Sequence, residues 1–394
     1  MRTLRRAAVC FGLLAGACSG APSAEPASDP PYEADPALAA DAAPEEDRFA
    51  LDMFRELAGA REGNVVFSPA SAEALLRLLR EGAAGETRAQ IDALPFGRRN
   101  VPSAMRVESA EALFAAEDLA LKPVGALVRR APFSASPARA AEEINAWCSE
   151  KTRGLVPSLV DPQDVTKDTR LIALNAVYLR ETWLRPFDRA DTESEGRFRR
   201  EDGTTAAAPL MRRTDNFRYA EGEGWKAVAL FYRTDGRPGE PGCFIGILPE
   251  GDARSFAREL TPGRYGAIRR ALAAARPRKV DVTLPKMDVD SASFSLKPAL
   301  LRLGLELPFS RGADFSGFTD GEPLILGDVR QRCRVIVSEK ETVAAAVTGA
   351  VMMRAALAPE ARPKKIRFDR PFLWSIGGLT TDAPPFFLGF FAGP

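Results

Sequence analysis

Histidine is absent from all 394 residues. That removes Ser-His-Asp and Cys-His catalysis and every zinc site that relies on imidazole. The five cysteines, Cys10, Cys18, Cys148, Cys243 and Cys333, lie far apart with no CxxC spacing, so neither a metal cluster nor a redox pair is expected. Cys148, Cys243 and Cys333 sit in apolar or mixed sequence and read as buried free thiols. A hydrolase built on two carboxylates is the remaining catalytic reading, and no local spacing of acidic residues singles out a pair. The expectation is a protein that is not an enzyme and needs no metal or cofactor.

One stretch has a composition suited to a different kind of chemistry, that of a bait. Residues 342–353 (TVAAAVTGAVMM) carry no charge and no proline, between Glu341 on one side and Arg354 on the other. Alanine content suits a buried helix. As a strand, Thr342, Ala344, Ala346, Thr348, Ala350 and Met352 would form one face, and both faces would be small and uncharged. A strand covered on both faces needs that property, because it cannot bury an unpaired charge. At ~3.3 Å per residue the stretch to Arg354 would span ~40 Å, the length of a long sheet strand. Composition alone leaves the helix and strand readings open. The following AALAPEARP has two prolines and mixed charge and reads as an exposed loop that cannot join a central strand.

Several elements must position that stretch. Residues 48–60 and 138–151 show apolar residues at helical spacing, and residues 70–81 and 86–94 read as two further helices. Ser68 is placed as the N-cap of the first of these, with Pro69 at the first helical position and Gly82 ending it. Residues 171–179 (LIALNAVYL) form a nearly continuous apolar strand with one polar residue, Asn175. Residues 64–67, 228–232, 244–248, 279–287, 335–337, 371–376 and 385–391 are also strand-like. Helices early and strands late point to an α+β fold with a large mixed sheet. The net charge is +1 with both signs interspersed, which argues against nucleic acid or an anionic membrane surface as the main partner.

The N-terminus reads as an address. Arg2, Arg5 and Arg6 precede a short apolar run, and Ala15-Gly16-Ala17 offers a small-residue cleavage site, so residues 1–17 are expected to be a signal peptide. With Cys18 next, the segment resembles a bacterial lipobox, which implies lipidation at Cys18, although Ala15 stands where leucine is usual. Ordinary cleavage with an incidental cysteine is the alternative. Residues 18–46 are rich in Ala, Pro and acidic residues and are expected to be a disordered tether, leaving 47–394 as the folded domain. The expected location is outside the cytoplasm, as a cell-envelope lipoprotein or a secreted or periplasmic protein.

In order along the chain, NVVFSPAS (64–71), LNAVY (174–178) with Trp183 and Pro186-Phe187, LPKM (284–287), DFSG (314–317), the stretch 339–348, RPFLW (370–374) and FLG (387–389) resemble the serpin family, here of bacterial type. The resemblance implies a serpin fold of three β-sheets, about nine helices and an exposed reactive loop. It also implies inhibition of a serine protease, trypsin-like or elastase/subtilisin-like, by a monomer that is cleaved and then inserts its loop into the main sheet. The hinge would be Glu339, Glu341, Thr342, Ala344, Ala345, Ala346 and Thr348. Family spacing from Glu339 puts the scissile bond after Ala355, before Ala356, and a shift of one residue makes it Arg354-Ala355. Ser68, Ser71, Asn175, Trp183 and Gln331 match the residues around which the sheet opens, with Gln331 in place of the family's histidine. Glu341 stands where inhibitory members usually have glycine, and this keeps a second reading in view, a non-inhibitory serpin used in binding or surface interaction. Residues 94–105 are too short and basic for the helix often found there, so no polyanion-binding helix is expected.

Overall fold

The computed structural model describes residues 47–97, 104–123, 128–179, 181–321, 323–340, 362–379 and 385–394. Residues 1–46, expected to hold a signal peptide and a tether with Cys18, lie outside these residues. So do Glu341, Thr342, Ala344, Ala345, Ala346, Thr348, Arg354, Ala355 and Ala356.

The chain opens with α1 (Arg48–Ala60), β1 (Val65–Phe67), α2 (Pro69–Gly82) and α3 (Gly85–Asp92), followed by β2 (Val107–Ala116), β3 (Val128–Ala131) and α4 (Pro137–Lys151). Next come β4 (Leu171–Leu179), β5 (Glu193–Arg199), β6 (Thr205–Gly222), β7 (Trp225–Phe231), β8 (Cys243–Pro249), α5 (Ala253–Arg258) and α6 (Pro262–Ala274). The rest is β9 (Arg278–Pro285), β10 (Met287–Asp290), β11 (Phe294–Ser295), α7 (Lys297–Arg302), β12 (Leu326–Val337), β13 (Lys364–Arg367), β14 (Phe372–Gly377) and β15 (Pro385–Phe391). Three more segments close as single 3₁₀ turns, so the described residues hold seven α-helices.

The six-stranded sheet runs β10-β12-β4-β2-β3, with β11 also paired to β12. The other nine strands run β1-β15-β14-β8-β7-β6-β9-β13, with β5 paired to β6. The 18-residue β6 divides this array in two. Its Leu210–Phe217 stretch pairs with β9, and its Arg218–Gly222 end pairs with β7. The result is three sheets, two of them sharing a strand.

Burial explains why these residues form these elements. All nine residues of β4 are buried, as the nearly continuous apolar run requires of a central strand. In β12 the pattern alternates, with Val329, Gln331, Cys333, Val335 and Val337 buried and Asp328, Arg330, Arg332 and Arg334 partly exposed. In α4, Ala140, Ala141, Ile144, Trp147 and Cys148 face inward, and Trp147 meets Phe114 of β2 edge-on at 5.2 Å. That contact seats α4 on the β2 side of the six-stranded sheet. Residues 152–170 then cross the sheet and lead directly into β4.

Candidate functional site

The centre of the six-stranded sheet is a seam. β4 and β12 are hydrogen-bonded to each other and run parallel, from Leu171↔Leu326 to Tyr178↔Arg334. Their outer neighbours are antiparallel to them, β10 beside β12 and β2 beside β4. A single parallel pair therefore sits within an antiparallel run from β10 to β2.

Polar side chains bridge the seam halfway along it. Gln331 and Asn175 are register partners, and both are fully buried. The Gln331 amide donates to Asn175 Oδ1 at 2.8 Å and to the Ser68 carbonyl at 3.1 Å, while its Oε1 accepts from the Ser68 amide at 2.9 Å. Asn175 in turn donates to Glu111 of β2 at 3.3 Å. The Ser68 hydroxyl donates to the Phe386 carbonyl at 2.9 Å. Ser68 does precede α2, but its side chain makes no capping bond. The cap expected from the sequence is replaced because the hydroxyl bonds the Phe386 carbonyl of β15 instead. Ser71 is buried in the first turn of α2.

A second group closes the end of the seam where β12 exits. Trp183 lies stacked on Tyr232 at 4.8 Å, with Phe187 and Phe244 edge-on to its ring. Its indole N–H donates to the Ser338 carbonyl at 2.8 Å, and the Phe187 amide donates to the Glu339 carbonyl at 2.8 Å. Glu339 is buried and pairs with Lys286 at 2.9 Å, and Thr192 donates to it at 3.3 Å. Burial works against its charge, but the bonds from Lys286, its own backbone and Thr192 prevail and hold the carboxyl below the usual carboxylate range. The main chain entering the uncharged stretch is thus fastened at 338 and 339.

Of the residues the sequence singled out, Ser68, Asn175 and Gln331 are joined by hydrogen bonds at mid-seam, Ser71 is buried in the first turn of α2, and Trp183 and Glu339 lie at the seam's end. Sequence reasoning gave no role to Lys286, Thr192 or Glu111. Lys286 stood in the LPKM block, but nothing in sequence pairs it with a residue 53 positions away. Cys148, Cys243 and Cys333 are buried free thiols, as expected. Burial pushes Cys148 and Cys243 up to about 12 and Cys333 higher still. Such thiols stay protonated and unreactive. Among the described residues no group of three or more His, Cys, Asp or Glu could hold a metal ion. No described helix is long and apolar enough to cross a membrane.

Residues 44–394 match the family model described as Serpin (serine protease inhibitor). An uncharacterized serpin-like protein of Thermococcus kodakarensis is 32% identical, over 83% of this chain and 80% of its own length. Plasminogen activator inhibitor 1 of Neovison vison is 29% identical, over 83% of this chain and 87% of its own. In fold, the chain is similar to native protease nexin-1 solved with heparin, with a TM-score of 0.75 at 23% identity over 91% of this chain and 99% of that one. The seam, the polar bridge across it and these likenesses agree: the chain belongs to the serpin family of serine protease inhibitors.

Proposed function

We propose that this protein inhibits a serine protease as a suicide substrate, through cleavage of the stretch after residue 341 and insertion of that stretch between β4 and β12. The observation that carries this reading is the parallel seam. A strand turning back from the end of β12 would run antiparallel to β12 and to β4 alike, and the run from β10 to β2 would become antiparallel throughout. Antiparallel pairing is the more stable of the two per residue. The added strand also gains a ladder of main-chain hydrogen bonds on both edges. The uncharged 342–353 stretch follows β12 closely in sequence and could enter the seam without burying a charge. The protease supplies the chemistry: its nucleophile forms an ester with the carbonyl of the bait residue and the peptide bond breaks. Insertion then carries the attached protease away before water releases it. A relative is by name an inhibitor of plasminogen activator, which agrees with this class of target.

The bait residue is proposed to be Ala355, or Arg354 in the shifted register. The first suits an elastase- or subtilisin-like target and the second a trypsin-like one. Export is proposed too, with residues 1–17 as the signal and Cys18 as a lipid anchor on the 18–46 tether. The test is incubation with trypsin, elastase and subtilisin, followed by denaturing electrophoresis and sequencing of the released fragment. A covalent complex stable in detergent is expected with at least one protease. Clean cleavage by all three, with no complex, would leave the second reading, a serpin that binds without inhibiting. Glu341 favours that second reading, because a charged residue at the hinge slows entry into the sheet.

A further inference from the structure

Three outward-facing arginines of β12 have no part in the bridge or the exit clasp. Arg332 grips Asp290 of β10 with Nε and Nη2 at 2.9 and 2.7 Å, and its Nη1 donates to the Ser158 carbonyl and hydroxyl at 2.7 and 2.8 Å. Arg334 repeats the arrangement one pleat on, holding Asp288 at 2.9 and 2.8 Å and donating to the Leu155 carbonyl at 3.3 Å. Arg330 bonds Asp328 at 3.2 Å and Ser293 at 3.1 Å, and reaches Asp164 at 2.9 Å. Each guanidinium therefore divides its donors between two bodies.

Those bodies are the two halves of the sheet. Asp288, Asp290 and Asp328 belong to β10 and β12 and travel with the arginines. Leu155, Ser158 and Asp164 belong to the 152–170 crossing, which is continuous with β4. Asn145 of α4 also ties that crossing down, accepting from the Leu159 and Val160 amides at 2.7 and 3.0 Å and donating to the Val160 carbonyl at 2.9 Å. α4 is seated on β2. Across the seam the crossing is thus a strap, fixed to the β4 half and held to the β12 half by arginine.

We infer that Arg330, Arg332 and Arg334 form a latch that sets how fast β4 and β12 part, through their bonds to Asp164, Ser158 and Leu155. The inference rests on the insertion reading above. Admitting one strand doubles the β4-to-β12 spacing from about 4.8 Å. A donor-acceptor contact of about 3 Å does not survive such a displacement, so the strap-side bonds break. The aspartate-side bonds persist, keeping the guanidiniums charged and paired after opening. The latch therefore stabilises the closed sheet relative to the open one and raises the barrier to opening, while the bonds to β10 are unaffected.

The test uses the intact chain and a synthetic peptide with the sequence of residues 342–353 as the inserting strand. Uptake is read as the rate at which a heat-resistant form appears. The Arg332→Met/Arg334→Met double variant keeps both aliphatic stems and is expected to take up peptide at least about tenfold faster, the effect of weakening charge-assisted bonds by about 1.4 kcal/mol in the closed state. Arg212→Met breaks a pair with Asp281 in another sheet and is expected to leave the rate unchanged. Asp164→Asn, at a partly exposed position and keeping an oxygen to accept from the Asp161 amide, is expected to speed uptake about two- to threefold, the range of a surface ion pair. Wild-type rates in both the double variant and Asp164→Asn overturn the latch while leaving insertion intact. No uptake by the wild type, with no gain in heat resistance after loop cleavage, overturns insertion and the latch together.

Discussion

Gln331 uses both ends of its amide on groups in two different elements, β4 and the entry to α2. Replacing it with leucine would leave Asn175 Oδ1 and the Ser68 amide buried without this partner. Unmet buried groups cost about 1–3 kcal/mol, so Gln331→Leu should lower the stability of the native state by roughly 2 kcal/mol in urea unfolding. An unchanged midpoint would mean the bridge contributes nothing. Glu339 gives a pH dependence whose sign follows from its lowered carboxyl. A depressed folded value means that its stabilising contribution is fully present above the unfolded value of about 4.3 and is lost as pH falls through the folded value. Wild-type stability should therefore drop more steeply below about pH 4 than that of Glu339→Gln, which has no charge there to lose. Parallel acid titrations of the two proteins, followed by near-UV circular dichroism, would expose any failure of this expectation.

At the scale of elements, the end of the seam depends on one indole. Trp183→Ala removes a fully buried ring packed against Tyr232, Phe187 and Phe244 and should cost about 3–5 kcal/mol. Trp183→Phe keeps most of the packing, loses the bond to Ser338 and should cost about 1 kcal/mol beyond the lost volume. A Trp183→Phe loss no larger than its missing volume accounts for would show that the Ser338 bond adds nothing. The strand on the other side of that bond shows how far the sequence could be read. β4 was plain, because nine buried residues leave a nearly continuous apolar run. Only the last residues of β12 were visible, because Asp328, Arg330, Arg332 and Arg334 interrupt its apolar pattern and resemble a solvated segment. The partners of Arg332 and Arg334 are aspartates of β10 and carbonyls of residues 152–170, and Arg330 reaches Asp164 of that crossing; only tertiary structure supplies those. The same limit hid the Lys286–Glu339 pair. Ser68, Asn175 and Gln331 were found by family resemblance, since a lone buried serine or amide carries no periodic signal.

For the whole molecule, the native state must be the less stable of two arrangements of one chain if the seam is to act as proposed. Cutting the 342–355 stretch with a protease that is then removed should raise the melting temperature by tens of degrees, because a central strand adds ladder bonds on both edges. Calorimetry at two scan rates is the suitable measurement, since a trapped state melts at a rate-dependent temperature. An identical transition before and after the cut would argue for a single arrangement.

The order of strands in the larger array also bears on how the molecule is made. β15 lies between β1 and β14, and β14 lies between β15 and β8, so the final strands of the chain fill the gap between two of its earlier ones. Asn64, beside β1, accepts from the amides of Ala392 and Gly393 and donates to the Gly393 carbonyl, joining the start of the domain to its last residues. A ribosome that has delivered everything up to residue 371 has therefore produced a chain whose β1 and β8 edges still face solvent. The domain cannot close from its N-terminus as it emerges. It must wait, with apolar strand edges uncovered, until residues 372–391 have been made.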